Sequence, residues 1–456
     1  MKVALVFPRF KYPTGDPPLG VAYLAAALRE RAGLTPAVID TTFSKDPMAD
    51  IERALRAGRY DVVGISAMVT MARDALAAAR VAKQVRSDSL VIVGGPHATT
   101  LPGDVLKEAA VDAVCVGEGE DALCRVVKDG GLDGVPGIMT RDGGGGITGA
   151  APELIADLDA LPFPALDLLP MDDYFRSWFQ LDAVGPDLRG TSVLATRGCP
   201  FKCSYCQPTL ERLFGKGVRK RSAANVADEL AARKERFKIT GFLFADDTFI
   251  ADHKWVRSFC SELNARGLGL KWGCNVRADL VTEELLGAMK QAGLGKIYIG
   301  IEVYSDECRR DVFNKKLTRE QVEKTVDAAR KLGVKTQGYF MLGAPGETRS
   351  DVRATARYAR RLGLDDATFN ITTPLPGTYL YDNHRDQVAV AAEDMDYYRR
   401  YSFIPGSGLS ERWLHRMQVL AYAGFYLRPK RLTAQLAALF SAGGLKRFLS
   451  KLRRVL

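Results

Sequence analysis

The feature that most constrains the fold of this chain is an alternation of short apolar strands with helices, which occurs in two separate series. The first series begins with VALVF at residues 3–7 and continues through LVIVGG at residues 90–95 to AVCVGEGE at residues 113–120. Strands that alternate with helices pair in parallel, and the ligands of such sheets bind at the carboxyl ends of the strands. The first series therefore predicts a doubly wound, Rossmann-like α/β domain over residues 1–140.

The second series contains six strand-helix repeats, from TSVLAT at residues 191–196 to DATFNITT at residues 366–373. Between the two series, the glycine turn RDGGGGI and the proline-studded stretch DLDALPFPALDLLP have little periodicity and predict a linker over residues 141–188. Six parallel strands predict a partial (β/α)6 barrel over residues 189–385, with all carboxyl strand ends on one face. The remaining residues, 386–456, are expected to form a helical extension.

Three of the eight cysteines, Cys199, Cys203 and Cys206, lie in the short segment RGCPFKCSYC with the spacing C-x3-C-x2-C. Three protein thiolates on a [4Fe-4S] cluster leave the fourth iron open to a substrate or cofactor. A zinc site would need a second C-x-x-C pair or H-x3-H, and neither is present. Eight cysteines in 456 residues are also too sparse for a disulfide framework.

The cysteine spacing, with the aromatic Tyr205 directly before the last cysteine, resembles the signature of the radical S-adenosylmethionine (radical SAM) enzymes. In that family the open iron chelates the amino and carboxylate groups of SAM. The resemblance implies that Asp246 and Asp247 meet the methionine amino group and that the backbone of Tyr205 meets adenine. It also implies that Asn275 and Arg277 reach ribose or carboxylate, and that Glu302 contacts SAM at the end of the fourth strand.

The first turn of the N-terminal domain, PRFKYPTGDPPLG, lacks the G-x-G-x-x-G of a dinucleotide site, so a nicotinamide cofactor is not expected. Together with the cluster loop, this domain resembles the cobalamin-binding domain that precedes the barrel in one radical SAM class. The resemblance rests on GISA, VGGPHAT and VGEGE, and it implies cobalamin contacts at Ser66, Gly94, Gly95, His97, Gly117, Glu118, Gly119 and Glu120. The loop D-x-H-x-x-G is missing, and residues 8–20 contain no histidine to bind the lower face of cobalt. A flavodoxin-like domain with another ligand, or with none, is the alternative.

The resemblance implies a cobalamin-dependent radical SAM C-methyltransferase with a [4Fe-4S] cluster, SAM and cobalamin as cofactors. The cluster would cleave SAM to a 5'-deoxyadenosyl radical that abstracts hydrogen from an unactivated carbon, and methylcobalamin would then donate the methyl group. The alternative is a cobalamin-dependent radical SAM cyclase or rearrangement enzyme without net methyl transfer. A methylthiotransferase would need a second cluster, and the N-terminal domain has only Cys115 and Cys124. The expected partners are a small-molecule substrate and a reductant such as flavodoxin or ferredoxin.

The net charge of +10 resides in the C-terminal end of the chain, which has ten basic residues and no acidic residue from Arg412 onward. The segment LKRFLSKLRRVL at residues 445–456 predicts a basic amphipathic helix that either lies on an anionic membrane surface or docks on the barrel. The membrane interpretation favours a lipid or natural-product substrate, and nucleic acid is not expected. Without a signal-peptide pattern or a run of 18 apolar residues, we expect a cytoplasmic protein, which the membrane interpretation of the C-terminal helix would place at the inner face of the membrane.

Overall fold

The strands of the first series form a seven-stranded sheet in the computed structural model, which describes residues 1–185, 187–391, 395 and 408–428. The strand order is β2-β1-β3-β4-β5-β6-β7, and the first five strands are parallel. The strands are β1 (Val3–Phe7), β2 (Ala37–Asp40), β3 (Val62–Ser66), β4 (Leu90–Gly94), β5 (Ala113–Cys115), β6 (Ile138–Arg141) and β7 (Ile147–Gly149). The helices are α1 (Leu19–Arg31), α2 (Pro47–Gly58), α3 (Ala72–Val85), α4 (Pro96–Thr100), α5 (Pro102–Leu106) and α6 (Glu120–Asp129).

Apolar residues on both faces of the central strands explain why this sheet is covered on two sides. Successive residues of β1 point to opposite faces, so that Leu5 and Val6 belong to different hydrophobic clusters. Helices bury each cluster, which confirms the doubly wound architecture. The last two strands, β6 and β7, are antiparallel, and the predicted glycine turn joins them. The Asp142 carboxylate stabilises this turn by accepting hydrogen bonds from the backbone of Gly144 and Gly146. The first sheet therefore extends to Gly149, beyond the boundary that the sequence predicted at residue 140.

The segment between the two sheets is packed rather than extended. It contains α7 (Met171–Ser177), and apolar side chains along its length, such as those of Leu166 and Trp178, are buried. The Tyr174 hydroxyl donates a hydrogen bond to the Asp40 carboxylate at the end of β2, at 2.5 Å. The prolines interrupt regular structure before α7, but the apolar residues between them still bury their side chains. The predicted linker is thus a strap that attaches the first sheet to the second.

The second series forms six parallel strands in an open half-barrel, with the order β15-β14-β13-β12-β11-β8. These strands are β8 (Gly190–Val193), β11 (Gly241–Phe244), β12 (Lys271–Val276), β13 (Leu294–Glu302), β14 (Lys335–Leu342) and β15 (Asp366–Ile371). A two-stranded hairpin follows β8 and consists of β9 (Thr196–Arg197) and β10 (Arg219–Lys220). The helices are α8 (Thr209–Phe214), α9 (Ala223–Phe237), α10 (His253–Ala265), α11 (Glu283–Gln291), α12 (Arg319–Lys331), α13 (Arg349–Arg361) and α14 (Tyr379–Asn383). The predicted partial barrel is confirmed.

A C-terminal helix, α15 (Glu411–Tyr426), covers the edge strand of the half-barrel. The hydroxyls of Tyr422 and Tyr426 accept hydrogen bonds from the β15 amides of Phe369 and Ala367, at 3.1 and 3.3 Å. If the edge strand β15 were uncovered, its amides could pair with another chain, so α15 protects this edge of the half-barrel. Residues 445–456, where the sequence predicts the amphipathic helix, lie outside the described residues. Within the described ranges, no helix combines the length and hydropathy needed to cross a membrane.

Candidate active site

The cysteine loop begins directly after β9, at the carboxyl end of the first barrel strand. It contains Cys199, Cys203 and Cys206. Gly198 takes a φ of +94°, and a Cβ at this position would lie 2.4 Å from the carbonyl oxygen of Gly217. Only glycine fits such a turn, so the start of the loop is fixed by backbone geometry.

The side-chain amide of Gln207 stabilises the conformation of the cysteine loop by hydrogen bonds. This side chain is buried, and its Nε2 donates a hydrogen bond to the carbonyl oxygen of Phe201 at 3.1 Å. Its Oε1 accepts a hydrogen bond from the backbone of Glu211 at 3.1 Å, on the first turn of α8. The loop is therefore organised by protein contacts of its own.

Two polar side chains reach the sulfur atoms of this loop. Arg277 donates a hydrogen bond from Nη1 to Cys203 Sγ at 3.5 Å, and the Thr248 hydroxyl lies 3.3 Å from Cys199 Sγ. Burial raises the pKa of the Cys203 and Cys206 thiols, so these thiolates need the compensating charge of a metal centre. The described residues contain no group of three or more His, Cys, Asp or Glu that could hold a metal ion. A cubane cluster differs from a single ion because each thiolate binds its own iron, and three soft sulfur donors on one loop fit that requirement.

A buried ion pair lies beside the loop at the end of β13. The Tyr205 hydroxyl and Lys315 Nζ donate hydrogen bonds to the same Glu302 oxygen, at 2.9 and 2.7 Å. Lys315 also donates to the carbonyl oxygen of Gly300 at 2.9 Å, and a Cβ on Gly300 would lie 2.6 Å from both Glu302 Oε1 and Lys315 Nζ. Burial and the Glu302 charge raise the pKa of Tyr205 well above its ordinary value, so it acts as a neutral donor.

Glu302 also has an unusual backbone conformation. Its φ is +65°, and the pairing between β13 and β14 shifts register between Gly300 and Glu302. A non-glycine residue in the left-handed region costs of the order of 1–3 kcal/mol and persists only where its surroundings hold it. Here the Lys315 and Tyr205 contacts hold the side chain, and backbone strain of this kind is common at functional positions.

Asp246 and Asp247 follow β11, but their environments differ. Asp246 is buried and accepts hydrogen bonds from the Ala195 amide at 3.2 Å and the Thr196 hydroxyl at 2.5 Å. Burial raises its pKa to about 7. Asp247 lies where solvent reaches it, although the surrounding protein still raises its pKa to about 6. Its carboxylate has no hydrogen bond to any other described residue, so it is the one of the pair left for a ligand.

Asn275 and Arg277 on and after β12 both contact protein in this structure. Asn275 Nδ2 donates a hydrogen bond to the carbonyl oxygen of Asp246 at 3.1 Å. The Arg277 guanidinium forms a two-point contact with Asp279, at 3.1 and 2.9 Å, and lies 3.7 Å from the ring centroid of Phe201. Arg277 thus contacts the cysteine loop, and Asn275 contacts the backbone that follows β11. Their contacts with ribose or carboxylate stay a prediction.

At the carboxyl ends of β3, β4 and β5, the first sheet presents backbone instead of side chains. Ser66 and Gly94 are register partners, and Gly95 takes a φ of +93° with its Cβ position 3.0 Å from the Ala67 carbonyl oxygen. Gly117 has a φ of +78° and donates its N–H to the Thr99 hydroxyl at 3.0 Å. The Ser66 hydroxyl has no hydrogen bond to another described residue. An edge without side chains, next to a free hydroxyl, fits a bulky ligand that approaches the backbone closely.

The remaining predicted cobalamin contacts lie deeper or serve other partners. His97 is buried on α4, and Gly119 precedes α6, where a Cβ would lie 3.2 Å from Leu24. The carboxylates of Glu118 and Glu120 are also buried, and both accept hydrogen bonds from arginines of the half-barrel. The sequence did not suggest that role for the two acidic residues.

These ion pairs form a cluster that we call the interdomain cluster, made of Glu118, Glu120, Arg197 and Arg219. Arg197 donates to Glu118 and Glu120 at 2.5 Å each, and Arg219 donates to Glu118 at 2.9 and 3.0 Å. Burial opposes ionisation of Glu120, but the Arg197 charge holds its pKa below the usual range. Arg197 precedes the cysteine loop by two residues, so the cluster links the end of β5 directly to that loop.

Known families match both halves of this arrangement. The B12 binding domain matches residues 12–127, and the Radical SAM superfamily matches residues 193–376. An uncharacterized methyltransferase of Pyrococcus horikoshii is 32% identical over 445 residues, which cover 94% of this chain and 93% of that protein. The chain belongs to the cobalamin-binding radical SAM enzymes. Its cofactors are therefore a [4Fe-4S] cluster, SAM and cobalamin.

Two further comparisons describe the range of this family. The anaerobic magnesium-protoporphyrin IX monomethyl ester cyclase of Rubrivivax gelatinosus is 28% identical, covering 89% of this chain and 73% of that protein. The solved structure of the radical SAM methyltransferase TsrM from Kitasatospora setae, with cobalamin and a [4Fe-4S] cluster bound, has a TM-score of 0.71 at 20% identity. It covers 85% of this chain and 75% of that chain. At this identity the likeness shows a common fold.

Several residues around the cofactor sites were not found from the sequence. They are Lys315, Thr248, Gln207 and Arg197, each of which contacts a predicted site residue or the cysteine loop itself. A glutamate on a buried strand requires a cation, which signals that a partner exists but does not say which lysine or arginine provides it. Gln207 directly follows Cys206, and this position next to a predicted ligand is the one sequence signal that it contacts the cysteine loop.

Proposed function

We propose that this enzyme is a cobalamin-dependent radical SAM C-methyltransferase acting on a small molecule. The observation that carries the proposal is the interdomain cluster, which joins the carboxyl end of β5 to the residue two before Cys199. Ligands of both sheets bind at carboxyl strand ends. A direct link between these two edges supports a reaction in which groups held by the two sheets act on one substrate.

When bound, the cluster and SAM supply a 5'-deoxyadenosyl radical, and cobalamin supplies a transferable methyl group. The residues of the chain provide binding and exclusion of water. Asp247 offers a free carboxylate to an ammonium group, and the hydrogen bonds from Arg277 and Thr248 to sulfur tune the reduction potential of the site. The buried contact of Lys315 with Glu302 keeps the end of β13 rigid, as positioning of reactive groups requires.

A second candidate is a cyclase or rearrangement reaction without net methyl transfer. The similarity to the cyclase of Rubrivivax gelatinosus over 89% of this chain favours it. None of the residues described above distinguishes the two reactions, because both begin with hydrogen abstraction from the substrate. A lipid or natural product is the substrate class that we propose for either reaction.

The experiment that tests the proposal is anaerobic reconstitution with iron, sulfide and cobalamin, followed by incubation with a strong reductant and SAM carrying a labelled methyl group. We expect 5'-deoxyadenosine together with label in the corrin fraction, and label in the product once a substrate from a lipid and natural-product panel is accepted. Formation of 5'-deoxyadenosine and a new product without transfer of label would replace the methyltransferase by the cyclase. The Cys199→Ala variant is the control for adventitious SAM breakdown.

A further inference from the structure

A cleft of about 470 Å³ lies between the cysteine loop and the start of α10. Its lining includes Pro200, Val218, Lys220, Thr248, Lys254 and Trp255. Pro200, Lys220 and Lys254 are exposed, so the cleft opens to solvent. None of its lining residues belongs to the predicted SAM or cobalamin contacts.

One wall of this cleft touches a ligand of the cluster. Pro200 directly follows Cys199 in the chain, and the Thr248 hydroxyl lies 3.3 Å from Cys199 Sγ. A molecule seated in the cleft would be separated from the cluster sulfur by one side chain. The cleft is therefore a short route from solvent to the cysteine loop.

The surface around the cleft carries an excess of positive charge. Two lysines, Lys220 and Lys254, line the cleft together with one acidic residue, Asp252, and Lys216 lies two residues before the lining residue Val218. Lys202 and Lys220 pair with Glu211 and Asp252. The exposed Lys216 and Lys254 have no ion pair with any other described residue, so their charge is available to a partner.

We propose that this cleft and its basic rim are the docking site of a small acidic electron carrier with a flavin or iron-sulfur centre. The inference rests on the presence of the cluster and not on methyl transfer. In the step that follows docking, the reduced carrier loses one electron and is oxidised, the cluster gains that electron and is reduced, and no bond or proton is exchanged.

Physical arguments support a partner of this chemistry. Opposite charges steer two proteins together and raise association rates by about 10–1,000-fold at low salt. Electron-transfer encounters use small interfaces, below about 1,200 Å² of buried surface, and a solvent-open cleft with lysines suits such a contact. The lining of this cleft combines apolar side chains, such as those of Val218 and Trp255, with Lys220 and Lys254.

The test compares a charge-reversal variant, Lys216→Glu/Lys254→Glu, with the wild-type holoenzyme. A matched control, Lys45→Glu/Lys128→Glu, makes the same change in charge at two exposed lysines of the N-terminal domain that also have no ion pair with a described residue. Stopped-flow absorbance follows reduction of the cluster, by reduced flavodoxin in one series and by photoreduced deazaflavin, a small chemical reductant, in the other. No substrate turnover is needed, so the result is independent of the proposed methyl transfer.

We expect the cleft variant to be reduced by flavodoxin at least about ten-fold more slowly at low salt, with the wild-type advantage disappearing as ionic strength rises. Reduction by deazaflavin should be unchanged in the cleft variant, and the control should behave as wild type in both series. Equal flavodoxin rates for the two variants would overturn the proposal. Slow reduction of the cleft variant by both reductants would overturn it too, because it would show damage to the cysteine loop rather than lost docking.

Discussion

The carboxyl edges of the two sheets, at which we predict the cofactors, are built in opposite ways. The edge of the first sheet is built from glycine backbone, with positive φ at Gly95 and Gly117 and a free hydroxyl on Ser66. The edge of the half-barrel is built from side chains, among which Glu302 and Lys315 are buried and paired. If these edges hold the cofactors as predicted, the difference has a reason: a large preformed cofactor needs space and hydrogen-bonding backbone, whereas a reactive cluster needs particular donor atoms at fixed positions.

The difference predicts where substitutions will be costly. At Gly95 of the glycine edge, an added Cβ would lie 3.0 Å from the Ala67 carbonyl oxygen, so a substitution there strains the backbone of the edge itself. At the half-barrel edge, removal of one atom leaves a sulfur, a charge or a hydroxyl without its partner. The most informative variants therefore remove one partner on the side-chain edge or on the interdomain cluster that joins it to the glycine edge.

The largest effect should come from Cys199→Ala. With two thiolates left on the loop, we expect the cluster to be lost and 5'-deoxyadenosine formation to fall to background, because no protein ligand in the loop can replace the third sulfur. Iron and sulfide content and the visible absorbance of the cluster are the measurements. Cobalamin binding should survive, because the glycine edge is separate. Cys308→Ala, which removes a half-buried thiol outside the loop, is the control and should retain the cluster.

Next in size should be Lys315→Met, which leaves the Glu302 carboxylate buried without its cation. Removing one partner of a buried pair costs about 3–5 kcal/mol, and the midpoint of urea unfolding should fall accordingly. The double variant Lys315→Met/Glu302→Gln should regain part of that loss, because a neutral amide can still accept from the Tyr205 hydroxyl. Strictly additive losses would show that the lysine does not stabilise the glutamate.

A smaller loss is expected from Glu118→Gln in the interdomain cluster. Arg197 keeps Glu120 as a partner, so we expect about 3 kcal/mol or less, at the low end for a broken buried pair, together with weaker cobalamin binding. The matched control is Glu153→Gln, which breaks the exposed pair with Arg125 and should cost less than about 1 kcal/mol. Equal effects of the two variants on unfolding and on cobalamin affinity would remove the special role of the cluster.

How much of this molecule the sequence revealed depends on the range of the interactions. The strands and most helices follow from local periodicity, and local residues also begin α12, where Thr318 and Gln321 form a capping box. The first sheet extended further than expected because the hairpin of residues 138–149 pairs with β5 by long-range hydrogen bonds. The packing of the strap was missed because its prolines interrupt the periodicity by which buried apolar residues are recognised in a sequence.

The same reasoning applies to the candidate site. Spacing alone predicts the three cysteines as cluster ligands, because ligands that share a loop are close together in the chain. Lys315 was missed because its pairing with Glu302 depends on how a loop folds back over β13. Glu118 and Glu120 were assigned to a cofactor although their arginine partners lie 77 to 101 residues away in the chain, a separation that no motif reports.

The smallest effect that still separates the two edges is expected from Thr248→Val, which removes the hydroxyl beside Cys199 Sγ and keeps the shape of the side chain. A hydrogen bond to a cluster sulfur stabilises the reduced state, which carries the extra negative charge. Its loss, at about 1 kcal/mol, should lower the reduction potential by roughly 40 mV for one electron. A mediated potentiometric titration followed by electron paramagnetic resonance measures this shift. Thr240→Val, at the amino end of the neighbouring β11, should leave the potential unchanged, and an equal shift in both variants would mean that the hydroxyl does not act on the sulfur.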